Sequence, residues 1–252
     1  MSNFATIGIL GGMGPEATNR VCSLITAATP ATKDQDHIPV ITYNNSRIPD
    51  RVSGLRGDGE SPLPEMIRTA QVLEQAGADI LLLPCNLAHA YLGDLRRAVR
   101  IPILDMIEET VKFIAANHPQ CLRVGLLAST PTLEFGIYEE AFRSHDQVSL
   151  ILPPPDIQES KVMKAIYGAE GIKSGHKAGP HRLLIEAAHS LADQGAELIV
   201  AGCTEVSLLL NQQNSPLGVI DPLQVIARVA VEWALRNETA GLGQKALASN
   251  QG

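Results

Sequence analysis

Two rhythms of apolar and polar positions run along the chain. Short, almost unbroken apolar runs occur at Ile7–Leu10, Val40–Tyr43, Ile80–Leu83, Val124–Leu127, Val148–Leu152 and Leu198–Ala201, and most stop at a glycine or proline. Each is the length of a strand, and lack of alternation predicts burial on both faces. Between them lie stretches with apolar residues three and four apart, such as Pro64–Gln75 and Pro180–Gln194, and a helix is predicted from about Glu16. Buried strands alternating with helices predict an α/β chain with parallel sheet. The segment Ser46–Pro64 fits neither rhythm. With Gly54, Gly57, Gly59, Pro49 and Pro62 it reads as a long lid or binding loop.

The pattern also repeats. Gly77-Ala-Asp-Ile-Leu-Leu-Leu-Pro-Cys85 lies over Gly195-Ala-Glu-Leu-Ile-Val-Ala-Gly-Cys203, and Ile7-Gly-Ile-Leu10 over Val124-Gly-Leu-Leu127. From Gly8 to Cys85 is 77 positions and from Gly125 to Cys203 is 78. Downstream, Ile103-Leu-Asp105 matches Val219-Ile-Asp221. Three matched points in one order predict two similar parallel-sheet α/β domains related by a pseudo-two-fold axis, with the active site in the cleft between them. The expected first domain covers residues 1–115 plus 222–240, its last part a helix at Gln224–Arg236 crossing back. The expected second domain covers residues 116–221.

Composition narrows the function. The chain has 252 residues and a formal charge of −7, so no basic field draws nucleic acid or anionic lipid. Nine aromatic residues are too few for a base-stacking surface. No apolar run approaches the roughly 20 residues of a membrane helix, and the N-terminus lacks the pattern of a secretion signal. A cytoplasmic location is expected. Cys22, Cys85, Cys121 and Cys203 show no Cys-x-x-Cys spacing, so neither a disulfide framework nor a zinc site is expected.

The repeat singles out Cys85 and Cys203. Both follow an apolar strand, where ligands bind in parallel α/β sheets, and both are expected to precede a helix. A helix N-terminus lowers a thiol pKa, so each is expected to be a thiolate near neutral pH. Two matched thiols facing one small substrate suit racemisation at a carbon acid: one removes the α-proton, and the other returns a proton to the opposite face. Cys22 and Cys121 have no such partner and are read as structural.

Five motifs then give a specific likeness. Ile7-Gly-Ile-Leu-Gly-Gly-Met-Gly-Pro15, Ile48-Pro-Asp-Arg51, Pro84-Cys-Asn-Leu-Ala-His89, Gly171-Ile-Lys-Ser-Gly175 and Gly202-Cys-Thr-Glu205 stand in the order found in the aspartate/glutamate racemase family. The chain resembles that family, and within it the cofactor-independent aspartate racemase branch, from Ile7 to about Trp233. The resemblance implies that Cys85 and Cys203 are the two acid/base residues and that Arg51 and Lys173 hold carboxylates. A guanidinium fork and a compact ammonium suit that task. It further implies that Asn86 and Thr204 offer hydrogen bonds, and that the Gly11–Gly14 loop with Met13 presents backbone N–H groups to substrate. A homodimer and a small amino-acid substrate are implied as well. Neither a metal nor a cofactor is expected, and no lysine stands out as a pyridoxal phosphate anchor.

Two positions depart from the family. Leu87 stands where the family usually has threonine, which either removes a hydroxyl donor or reshapes the pocket for another side chain. Asn45-Ser46-Arg47 replaces Asn-Pro-Gln and adds a cation. Two further residues keep two readings each. His89 either tunes the thiol one turn before it or ties the turn together. Glu205 either binds a substrate ammonium or caps its helix. Asp105 and Asp221 end matched strands as possible caps. The expected function is interconversion of L- and D-aspartate, or of a related acidic amino acid. Isomerisation or decarboxylation of a dicarboxylate, and binding of an acidic metabolite without turnover, are the alternatives.

Overall fold

The structure is a computed structural model describing residues 4–143 and 148–237. Strand β1 (Ile7–Gly11) is buried at every position and leads into α1 (Pro15–Ala28), which opens on a proline whose missing N–H costs nothing there. β2 (Val40–Asn44) follows, then α2 (Arg51–Arg56), α3 (Leu63–Gln75), β3 (Ile80–Leu82), α4 (Leu92–Ala98) and α5 (Met106–Asn117). The chain continues with β4 (Arg123–Leu126), α6 (Thr130–Glu134), α7 (Ile137–Phe142), β5 (Ser149–Ile151) and α8 (Pro155–Ile157). A π-helical turn, Gln158–Met163, joins α8 to α9 (Lys164–Tyr167). Then come α10 (Ala178–Asp193), β6 (Leu198–Val200), α11 (Thr204–Leu209), β7 (Gly218–Ile220) and α12 (Pro222–Arg236).

All sheet pairing between these strands is parallel, and the fold is α/β as the apolar rhythm predicts. One sheet runs β2-β1-β3 and is extended by a parallel bridge from Leu81 to Ile103; the other runs β5-β4-β6-β7. The two orders are the same once Ile103 is set against β7. Strands β1, β3 and β6 are buried throughout and β4 at all but its first residue, whereas β2 alternates between exposed and half-buried. β2 is therefore not the two-face-buried strand that its apolar run predicts, because it lies at a sheet edge.

The repeat extends to atomic packing. A Cβ on Gly8 would lie 2.8 Å from Ala78 Cβ, and one on Gly125 would lie 3.2 Å from Ala196 Cβ. Each alanine follows a glycine with positive φ, 97° at Gly77 and 84° at Gly195, that ends α3 or α10. The next residue closes the unit in both copies. Asp79 accepts the Thr6 amide at 2.8 Å, and Glu197 accepts the Leu122 and Arg123 amides at 2.7 and 3.0 Å.

The described residues fall into two units. One holds residues 4–84, 91–105 and 226–237; the other holds residues 85–90, 106–143 and 148–225. Residues 85–90 and helix α5 thus group with the second unit, although the sequence expectation drew its boundary at 115. Residues 1–3 and 238–240 of the expected first domain lie outside the described residues. Within the first unit the Ala5 amide donates to Asn237 O at 3.1 Å, which joins the end of α12 to the start of β1.

The expected long loop at Ser46–Pro64 is different in detail. Asp50 caps α2 by accepting the Val52 and Ser53 amides, each at 3.0 Å. The chain then folds back, with the Asp58 amide on Ser53 O at 3.2 Å. An apolar pattern cannot mark a six-residue helix; the Asp-Arg-Val-Ser cap is its only signal in the sequence.

Candidate active site

Cys85 and Cys203 belong to the same unit, together with Asn86, Leu87, Lys173, Thr204 and Glu205. Cys203 is the residue before α11, in extended backbone. Its Sγ donates to Glu205 Oε2 at 2.9 Å, and Glu205 Oε1 accepts Lys173 Nζ at 2.6 Å. Thr204 Oγ1 lies 3.3 Å from Glu205 Oε2, so its hydroxyl serves the carboxylate. Lys173 comes from the 3₁₀ turn Ile172–Ser174, closed by Gly175, and its ammonium lies 5.3 Å from the Tyr167 ring centroid.

This chain sets the charges. Burial pushes the Cys203 thiol well above its ordinary pKa, and the adjacent Glu205 charge and hydrogen bond push it further, against the pull of Lys173. Cys203 is therefore a thiol in this arrangement. That corrects the thiolate expected from the helix N-terminus, because the nearby carboxylate and desolvation outweigh one end of a six-residue helix. Burial also raises the Glu205 carboxyl, but Lys173, the thiol and the ammonium hydrogen bond together hold it below the usual carboxylate range. Burial works against the Lys173 charge, yet the charge and hydrogen bond of Glu205, and the negative charge that Cys203 and Cys85 carry when ionised, hold the ammonium above its ordinary value. Both cysteines thus lie within electrostatic reach of one ammonium.

At the other cysteine no α-helix begins. Residues Leu87–Tyr91 form a 3₁₀ turn, so the macrodipole argument lacks its helix here. Cys85 is 8% exposed. His89 fixes the turn: Nδ1 lies 2.9 Å from Cys85 O, and Nε2 accepts the Met106 amide at 3.1 Å. A carbonyl and an amide as partners assign the tautomer, with hydrogen on Nδ1. The structural reading of His89 holds, since it joins the cysteine turn to the first residue of α5. Leu87 is buried, as an apolar residue in this turn. Asn86 is buried as well; its Oδ1 accepts Tyr138 Oη at 2.7 Å, and its Nδ2 has no hydrogen-bond partner among the described residues. Of the expected caps, Asp221 accepts the Leu223 amide at 3.0 Å at the start of α12.

Met13 and Arg51 belong to the other unit. Met13 is 2% exposed, and the Gly12 amide already donates to Thr18 Oγ1 at 3.0 Å. That amide of the glycine loop is taken by the fold, which leaves the other amides of the loop to carry the expected contact with substrate. Arg51 Nη1 donates to Pro49 O at 2.9 Å, while its Nε is buried without a partner among the described residues. The Tyr91 hydroxyl is also buried without one. Burial raises its pKa and the nearby Arg51 charge opposes that rise. Tyr138 is not marked by the sequence motifs, because it acts through Asn86, a partner that only folding supplies. Among the described residues no cluster of three or more His, Cys, Asp or Glu could hold a metal ion.

Comparison with known proteins gives the family. The profile of the Asp/Glu/hydantoin racemase family matches residues 10–230. A broad-specificity amino-acid racemase of Bacillus subtilis is 28% identical over 235 residues, which is 91% of this chain and 98% of that protein. The aspartate racemase of Picrophilus torridus superposes with a TM-score of 0.72 at 24% identity, covering 92% of this chain and 98% of that one. An aspartate racemase homologue of Pyrococcus horikoshii gives 0.71 at 22% identity over 91% and 98% of the two chains. The chain belongs to the Asp/Glu/hydantoin racemase family and is an isomerase of that family.

Proposed function

We propose that the protein interconverts the L- and D-forms of an acidic amino acid, aspartate or a near relative, by proton transfer between two cysteines without a cofactor. The carrying observation is the chain Cys203–Glu205–Lys173, with Cys85 in electrostatic reach of the same ammonium. In one direction the Cys85 thiolate takes the α-proton. The electron pair moves onto the α-carboxylate, where cations and hydrogen-bond donors stabilise it. The Cys203 thiol then delivers its proton to the opposite face of the carbon. Turnover leaves Cys85 protonated and Cys203 as thiolate, the state that the reverse reaction needs. Asn86 Nδ2 is suited to donate to the growing oxyanion, and Arg51 to hold a carboxylate.

The ion pair bears on the range of substrates. Glu205 compensates the Lys173 charge, which weakens selection for a second carboxylate. Together with buried Leu87, this supports a second reading in which neutral amino acids are also accepted. The test is α-proton exchange in D₂O with L-aspartate, L-glutamate and a panel of neutral L-amino acids, followed by chiral analysis. Loss of the α-proton signal with appearance of the D-form is expected. Cys85→Ala and Cys203→Ala should each lower racemisation by about 10²-fold or more, the usual scale for a lost general acid or base. Racemisation that survives either change sinks the two-base mechanism.

A further inference from the structure

Tyr138 is fully buried in α7 and belongs to no motif discussed above. Its hydroxyl reaches one cysteine segment by donating to Asn86 Oδ1 at 2.7 Å, directly after Cys85. Its ring reaches the other: a Cβ on Gly202 would stand 3.2 Å from Tyr138 Cε2, directly before Cys203. The same Cβ would stand 2.5 Å from Leu126 Cδ1 and 3.0 Å from Ala128 Cβ, so glycine at 202 leaves room for all three neighbours, the tyrosine ring among them. All of these residues belong to one unit.

We infer that Tyr138 is a positioning residue that fixes the Cys85–Asn86 segment relative to Gly202–Cys203 and, by occupying Asn86 Oδ1, leaves the Asn86 amide hydrogens for substrate. The inference rests on the proposed racemisation for its functional half only. In the arrangement observed, Tyr138 donates to Oδ1, so the amide hydrogens of Asn86 lie on the side away from the tyrosine. Asn86 Nδ2 is buried without a partner among the described residues, which is costly unless something accepts from it. A substrate carboxylate is such an acceptor.

Two measurements on the full chain separate the positional claim from the enzymatic one. In peptide-resolved hydrogen exchange, Tyr138→Phe should speed exchange in residues 85–90 and leave 201–206 near wild type. Tyr138→Ala should speed both, and the strand β4 should be unchanged in each variant. In turnover, Tyr138→Phe and Asn86→Ala should each lower kcat about tenfold, the scale of one buried hydrogen bond. The double variant should be no worse than Asn86→Ala alone, since the tyrosine acts through the asparagine. Unchanged exchange in residues 85–90 in Tyr138→Phe overturns the positional claim, as do multiplicative losses in the double variant. A wild-type protein that racemises nothing, with exchange altered as described, overturns the proposed function and leaves the positional role standing.

Discussion

At the scale of single residues, the chemistry turns on where one proton sits. Cys203 donates to a carboxylate that is itself held by Lys173, so the proton belongs to sulfur while Glu205 stays ionised. Burial and the Glu205 charge both oppose the thiolate. Replacing Glu205 by Gln removes the charge and frees the Lys173 ammonium to favour the thiolate. Peptide-resolved alkylation with iodoacetamide across pH should then show the Cys203 midpoint at lower pH in Glu205→Gln than in wild type. An unchanged or higher midpoint contradicts this account of the thiol. The same network gives Thr204 and Glu205 partners within the protein. The Thr204 hydroxyl lies against Glu205, and Glu205 itself holds the thiol and the ammonium. His89, with two backbone partners, holds a turn in place.

At the scale of elements, the repeated unit is a helix, a left-handed glycine, an alanine and a strand whose central neighbour carries a glycine of its own. Gly8 and Gly125 are small because Ala78 and Ala196 press against them. The fit is tighter in the first copy. A Cβ on Gly8 meets Leu81 Cδ2 at 2.5 Å, whereas one on Gly125 meets Leu191 Cδ1 at 2.9 Å. Overpacking a core typically costs about 1–3 kcal/mol. Gly8→Ala is therefore expected near the upper end of that range and Gly125→Ala near the lower end, read by urea unfolding. The reverse order would show that the first copy relaxes more easily than its packing suggests. These elements were legible beforehand because a strand or a helix writes its period into consecutive residues. Helix α2 and the 3₁₀ turn after Cys85 were not legible, since six or five residues complete too little of a helical period to display one.

At the scale of the whole molecule, the buried titrating groups make stability depend on pH. Cys203 holds its proton to higher pH when folded than the ordinary 9.0 of a free thiol. Above that value the unfolded chain releases the proton and the folded chain does not, so stability falls as pH rises. Glu205 has the opposite sign. Its folded pKa is depressed, so its contribution is present above the ordinary 4.5 and is lost as pH falls through the folded value. The melting temperature of wild type is expected to decline on going above pH 9, and Cys203→Ala should decline less. Parallel curves for the two proteins would show that the thiol has no such linkage.

The sequence by itself determined the α/β class, the repeat of strand, glycine and cysteine, and the pair Cys85 and Cys203, because periodicity and turn chemistry are local and survive in one dimension. It also carried the family, through five short motifs in order. Only the tertiary structure decided the protonation of Cys203, the tautomer of His89, the free amide of Asn86 and the place of Tyr138. Those depend on removal from water and on partners a hydrogen bond away in space but distant in the chain. Lys173 and Glu205 are 32 residues apart, and Asn86 and Tyr138 are 52 apart. No pattern of neighbours along the chain encodes which of two acceptors a buried donor will meet, because that choice is made by the packing of the strands and helices between them.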